Sequence, residues 1–266
     1  MSQIKGSKIL ITGGASGIGK QLGKRLLELG AESLTIWDVN EKGLQETAQE
    51  IKEYSAHTFC IDLRDTEAIQ STAKEVLSTI GNIDILINNA GVVVGKDFID
   101  HSPKDIDFTL EVNTAAVMHT TLAFLSKMLQ QKQGHIVNIS SAAGMLSNPK
   151  MSVYAGSKWA VLGWSESLRL ELQNTGVEVS TVTPSYIDTG MFEGVKTNPF
   201  LPLLKTEKVV TAIIRSITHN QRYVRLPFLV KILPFVKGIL PPFIFDVFVG
   251  KWLGIYKSMA PFKGRK

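Results

Sequence analysis

A tyrosine and a lysine stand four residues apart in SVYAGSKWAV, at Tyr154 and Lys158. On a helix this spacing sets both side chains on one face, one turn apart. A free phenol titrates near about 10 and an ammonium slightly higher, so neither alone is reactive near neutral pH. Held together, they form a usable pair. The ammonium favours the phenolate and lowers the phenol pKa, so the tyrosine can accept or donate a proton. The fragment by itself does not separate such a device from two residues that merely share a helix face.

A second candidate is TGGASGIGK, where Gly13, Gly17 and Gly19 follow a short apolar strand and open a helix. Glycines let the backbone turn tightly against a pyrophosphate, and the helix N-terminus offers free N–H groups and partial positive charge. Nineteen residues after Gly19, Asp38 ends the segment TIWD. A carboxylate there accepts hydrogen bonds from both hydroxyls of an adenosine ribose and repels a 2′-phosphate. No Arg or Lys occurs at Gly14, Ala15 or Ser16 to receive that phosphate. The expected cofactor is therefore NAD. A cap on the helix that follows is the other role open to Asp38.

These residues need a scaffold, and the pattern supplies one. Strand-like runs are expected at Lys8–Thr12, Ser33–Trp37, His57–Ile61, Asp84–Ile87, His135–Ile139, Val177–Val182 and Tyr223–Arg225. Between them, helical spacing covers Ile18–Leu29, Glu41–Tyr54, Thr66–Ile80, Lys104–Gln131, Ser152–Asn174 and Glu207–Thr218. Buried strands alternating with helices predict an α/β fold, a seven-stranded parallel sheet doubly wound by helices. Residues 1–225 are expected to form this catalytic domain, with 226–266 a hydrophobic, basic extension packed on it.

Composition narrows the function classes. At 266 residues, with 44% hydrophobic and 20% charged residues, the chain reads as an ordinary globular protein. A single cysteine, Cys60, precludes an internal disulfide and fits a reducing, cytoplasmic setting. The five histidines lack metal-ligand spacing, so no metal is expected. From Arg222 onward nine Lys or Arg face one acid, so this segment carries +8 and the remainder −3. The basicity belongs to the tail, which argues against a nucleic-acid partner. No apolar run approaches the roughly 18 residues of a membrane span.

Together TGGASGIG, NNAG at Asn88–Gly91, Ser141 in NISSAAG, Asn113 in LEVNTAA, Asp62–Leu63 and the Tyr154–Lys158 pair resemble the short-chain dehydrogenases/reductases. Order and spacing match over residues 8 to about 190. The later run LP…ILP…SMAPFKGR resembles the retinol and hydroxysteroid dehydrogenase branch. The resemblance implies a single-domain Rossmann fold and hydride transfer between nicotinamide and an alcohol or carbonyl. In that picture Tyr154 is the acid/base, Lys158 tunes it and binds the nicotinamide ribose, and Ser141 holds the substrate oxygen. Asn113 holds a relay water, or alternatively bonds backbone within its helix. Cofactor contacts are expected from Gly13, Ser16, Gly17, Ile18, Gly19, Asp38, Asp62, Leu63, Asn89, Ala90, Gly91, Tyr154, Lys158, Pro184, Ile187 and Thr189. Asn88 is expected to bond neighbouring strands. One departure is Pro184-Ser185, where the family usually carries Pro-Gly.

The stretch 189–206 has the Pro/Gly-punctuated apolar composition of a flap over a pocket. Met145, Tyr186, Met191 and Phe192, with Ser141 and Tyr154, are the expected substrate contacts, forming an apolar wall for a lipophilic alcohol or carbonyl. The segment Leu226–Met259 interleaves large apolar residues with single lysines and prolines. Two roles stay open for it: docking on a membrane surface, or covering the pocket mouth or a subunit interface. The resemblance implies a homodimer or homotetramer. A non-catalytic dinucleotide-binding sensor or scaffold is the competing function.

Overall fold

The structure, a computed structural model, describes residues 2–197, 199 and 201–263. Strand β1 (Lys8–Thr12) leads into helix α1 (Gly17–Glu28), followed by β2 (Ser33–Asp38), α2 (Glu41–Glu50), β3 (Ala56–Cys60), α3 (Thr66–Thr79) and β4 (Ile85–Asn88). Next come α4 (Pro103–Leu110), a π-helical turn (Glu111–Ala115), α5 (Ala116–Gln131), β5 (Gly134–Ile139) and α6 (Ser152–Glu171). The chain continues through β6 (Val177–Pro184), α7 (Thr206–Thr218), β7 (Tyr223–Leu226), α8 (Phe228–Ile239) and α9 (Pro242–Asp246). Seven strands pair in parallel in the order β3-β2-β1-β4-β5-β6-β7. The expected doubly wound sheet is present.

The period-2 alternation of a strand divides the core into two layers. On β1, Ile9 and Ile11 pack with Leu22 and Leu26 of α1 and Ile213 and Ile217 of α7. Leu10, between them, points the other way toward Ile69 and Val76 of α3 and Phe124 and Met128 of α5. Helix starts follow local capping chemistry. The Asn40 side chain accepts from Gly43 N–H, Asp65 caps α3, and Ser102 with Asp105 forms a capping box.

Two expectations change. β3 is an edge strand with His57, Thr58 and Cys60 exposed, because only β2 pairs with it. The helix expected over 104–131 is interrupted by the π turn at Glu111–Ala115, which inserts a residue without breaking the apolar periodicity. Lys237 of α8 is exposed, yet its ammonium folds back onto the body of the domain. Its Nζ lies 4.1 Å from the Trp159 ring centroid and donates to Met145 O at 3.0 Å.

The chain order reverses at β1, which has β2 on one side and β4 on the other. Open sheets of this kind form a crevice there, beyond the carboxyl ends of the strands. The residues that follow β1, β2, β4 and β5 converge on that crevice.

Candidate active site

Helix α6 carries Tyr154 and Lys158 inward, and both are buried. Lys158 Nζ donates to Ile139 O at 3.1 Å and lies 6.0 Å from the Tyr154 ring centroid. The backbone around the pair is pinned: Ser140 Oγ donates to Lys158 O at 2.8 Å, and Ser157 Oγ to Tyr154 O at 2.7 Å. Phe192 closes the outer side of Tyr154 edge-on, with centroids 6.2 Å apart.

Burial dominates the titration of both groups. It raises the Tyr154 phenol to about 12, the nearby Ser141 hydroxyl pulling back and Tyr186 adding to the rise. Burial alone lowers Lys158 to about 8. The lowered phenol expected from an adjacent ammonium is thus not a property of the protein alone. Without a cofactor's charge in the site, desolvation sets the direction of the phenol's shift.

Ser141 follows β5 by two residues and caps the short 3-10 turn Ala142–Gly144, accepting from Ala143 N–H at 3.1 Å. Asn113 is fully buried in the π turn. Its Oδ1 accepts from Val92 N–H at 2.8 Å, and its Nδ2 donates to Val92 O at 2.9 Å and Ser157 Oγ at 3.1 Å. The amide therefore ties the loop after β4 to α6.

The glycine turn fits a closely approaching ligand. Gly13 has φ +69, and a Cβ there would lie 2.8 Å from Ala90 Cα. Asn89 Nδ2 donates to Thr12 O at 3.0 Å and Gly13 O at 2.9 Å, holding the turn beside the β4 loop. Gly19 packs beneath the turn against Gly13 O rather than facing the cleft. Helix α1 has no acid in its first turn, so its positive end is uncompensated. Asp38 accepts from Ala15 N–H and Asn40 N–H, each at 3.0 Å, and lies at the far end of the same cleft. The cap of α2 is Asn40, so the capping role open to Asp38 falls away.

A single cleft of about 340 Å³ runs from Asp38, Asp62 and Leu63 past Gly13, Ser16, Gly17 and Ile18. It continues along Asn89, Ala90 and Gly91 to Ser141, Tyr154 and Lys158, with Pro184, Ile187, Thr189, Met191 and Phe192 on the facing side. Its length, glycine floor and helix-end positive charge fit a dinucleotide. Asn88, as expected, bonds across strands, donating to Asn138 Oδ1 at 2.8 Å and Thr121 Oγ1 at 3.0 Å.

Two expected substrate contacts do not line this cleft. Met145 is packed in the cluster under the C-terminal helices and does not line the cleft, because the chain turns inward there to meet Leu233 and Phe245. Tyr186 lines a small gap behind Ser141. Its hydroxyl sits 2.8 Å from Ser258 Oγ, and Asn148 Nδ2 donates to Tyr186 at 2.9 Å and Ser258 at 2.7 Å. The flap base is fixed by Leu204 N–H donating to Tyr186 O at 2.8 Å; Asn198 and Phe200 of the flap lie outside the described residues.

Arg64 is a cleft residue that sequence reasoning missed. Its Nε donates to both Asp62 oxygens at 3.0 Å, and the guanidinium lies 5.5 Å from the Phe108 ring centroid. The two-residue spacing to Asp62 was the available signal. Ser185, where the family usually has glycine, lines both the cleft and the gap, and its buried hydroxyl has no partner among the described residues.

The short chain dehydrogenase family model matches residues 7–199. Mouse epidermal retinol dehydrogenase 2 is 35% identical over 271 residues, covering 99% of this chain and 87% of its own. Human estradiol 17-beta-dehydrogenase 11 is 37% identical over 243 residues, covering 90% and 80%. A short chain dehydrogenase/reductase from Burkholderia phymatum in complex with NAD superposes with a TM-score of 0.79 at 27% identity, over 89% of this chain and 94% of that one. A short-chain dehydrogenase from Sphingobium yanoikuyae in complex with NADPH gives 0.79 at 26%, over 87% and 92%. With the family match over residues 7–199 and relatives of 35% and 37% identity spanning most of its length, the chain belongs to the short-chain dehydrogenase family.

Proposed function

We propose that this oxidoreductase moves hydride between NAD(H) and a lipophilic alcohol or carbonyl, with Tyr154 as its acid/base. The observation that carries this reading is the continuity of one cleft from Asp38 at one end to Ser141, Tyr154 and Lys158 at the other.

A bound nicotinamide supplies the hydride acceptor or donor. The chain's residues do the rest. In the oxidative direction Tyr154 takes the hydroxyl proton as the carbonyl forms; in reduction it returns that proton to the developing alkoxide. Ser141 donates to the substrate oxygen and holds it beside the phenol. Lys158 in its ammonium form favours the Tyr154 phenolate and hydrogen-bonds the nicotinamide ribose. Closure by Phe192 excludes water, which strengthens each of these interactions.

The preference for NAD(H) rests on charge at the adenosine end. Asp38 presents a carboxylate there, held by the Ala15 and Asn40 N–H groups, while Arg64 is neutralised by its pairing with Asp62. A 2′-phosphate would meet net negative charge.

Apolar walls around the site and the retinol and estradiol named in two relatives favour a lipophilic substrate. No helix among the described residues is long and apolar enough to cross a membrane. The C-terminal helices nevertheless expose Phe235, Phe243 and Trp252 at 71%, 69% and 79%, with Lys231 exposed beside them, which supports docking on an anionic membrane surface. Exposed Leu122 and Leu129 on α5 and Leu170 on α6 support a homodimer or homotetramer through these helices. A screen of lipophilic alcohols and ketones, followed by nicotinamide absorbance, tests the reaction. Turnover of none of them with either NAD(H) or NADP(H) would sink it.

A further inference from the structure

Behind the cleft lies a second chamber of about 340 Å³ whose wall is entirely apolar. Helix α8 gives it Val230 and Leu233, the segment after α9 gives Val249, and Leu146 and Leu201 form its inner side. An all-apolar pocket of this size offers a water nothing to bond. Only an apolar guest fills it favourably.

The chamber abuts the reacting centre across shared walls. Ala142, Leu146, Leu201 and Ile255 also line the small gap of about 30 Å³ behind Ser141. That gap in turn shares Ser141 and Phe192 with the cleft. Successive residues, Ser141 and Ala142, therefore face the substrate-oxygen site and the chamber. At its outer rim the chamber reaches Ile232 and Phe248, which belong to the exposed apolar face of the C-terminal helices.

The width of the gap selects among lipophilic guests. At about 30 Å³ it has room for little more than one methylene at a time, which suits a linear chain better than a fused ring system. We propose that the chamber receives the hydrocarbon chain of an unbranched long-chain primary alcohol or aldehyde whose oxygen sits at Ser141 and Tyr154. This rests on the proposed alcohol–carbonyl chemistry and narrows its substrate from lipophilic to linear.

The test uses the full chain and two chamber-filling variants, Leu233→Trp and Val249→Phe, each checked for unchanged NADH affinity. In wild type, kcat/KM rises from butanol to hexadecanol by up to about fourfold per buried methylene. In the variants the rise stops short while butanol turnover is unchanged. A second readout needs no catalysis: cis-parinaric acid becomes fluorescent on binding wild type and Tyr154→Phe alike, and both chamber variants lose the signal. The same chain-length dependence in wild type and both variants overturns the proposal, as does failure of the probe to bind wild type. Probe binding that the chamber variants abolish, with no alcohol turned over, keeps the chamber and removes the alcohol–carbonyl reading instead.

Discussion

Asn113 and Val92 are joined by a closed pair of hydrogen bonds, Val92 N–H to Asn113 Oδ1 at 2.8 Å and Asn113 Nδ2 to Val92 O at 2.9 Å. The pair fixes the loop after β4 to the π turn, directly over the lysine. A Cβ on Gly91 would lie 3.2 Å from Asn113 Oδ1 and 3.3 Å from Lys158 Nζ. Replacing Asn113 with Leu leaves the Val92 groups unsatisfied and is expected to cost about 1–3 kcal/mol of stability. Denaturant unfolding measures this, and an unchanged midpoint would show that the clamp is dispensable.

Tyr154→Phe removes the proton donor but keeps the ring that meets Phe192. Turnover is expected to fall at least about 10²-fold with NADH affinity retained. Lys158→Met removes the charge that favours the phenolate, so the pH midpoint for alcohol oxidation should move up by about 1–3 units. An unshifted profile in Lys158→Met would mean that the lysine only positions the cofactor.

Asp38 decides the cofactor. Wild type is expected to bind NADH more tightly than NADPH, and Asp38→Ser should lower NADH affinity about tenfold to a hundredfold. Fluorescence titration with both nucleotides checks this. Tighter NADPH binding by wild type would refute the assignment.

His135 is buried between Ser2 Oγ at 2.9 Å and Ser180 Oγ at 2.8 Å, and burial holds its imidazole down near about 4. The unfolded chain then binds the extra proton between about pH 6.5 and 4, so stability is full above 6.5 and is lost as pH falls through that window. The loss is at most about 3 kcal/mol. His135→Gln should flatten this acid limb in thermal melts across the same range; an identical limb in both proteins would place the sensitivity elsewhere.

The exposed apolar face of α8 and α9 should carry the protein up with anionic liposomes in a flotation gradient. Phe235→Ser combined with Phe243→Ser should abolish that flotation without changing NADH affinity. Wild type that stays with the soluble fraction would exclude surface docking.

The sheet was legible because its signals are local. Apolar runs such as KILIT, capping residues such as Asn40 and Asp65, and the TGGASGIG turn each specify their element within a few positions. The tyrosine–lysine pair was legible for the same reason. What escaped depends on distant partners. Helical periodicity runs unbroken through Glu111–Ala115, so the π turn appears only once Asn113 meets Val92. Met145 looks like pocket wall until the C-terminal helices are seen to cover it. The titration of Tyr154 reversed because its burial comes partly from Phe192 and Tyr186, more than thirty residues along the chain.

The hydrogen-bonded trio of Asn148, Tyr186 and Ser258 has a consequence for how the molecule is made. Ser258 lies 110 residues after Asn148 and 72 after Tyr186, whereas the residues lining the dinucleotide cleft end at Phe192. A chain leaving the ribosome amino end first thus presents every cleft residue well before it can stitch the wall behind Ser141. The wall behind Ser141 is therefore completed only after the whole cleft lining has been synthesised.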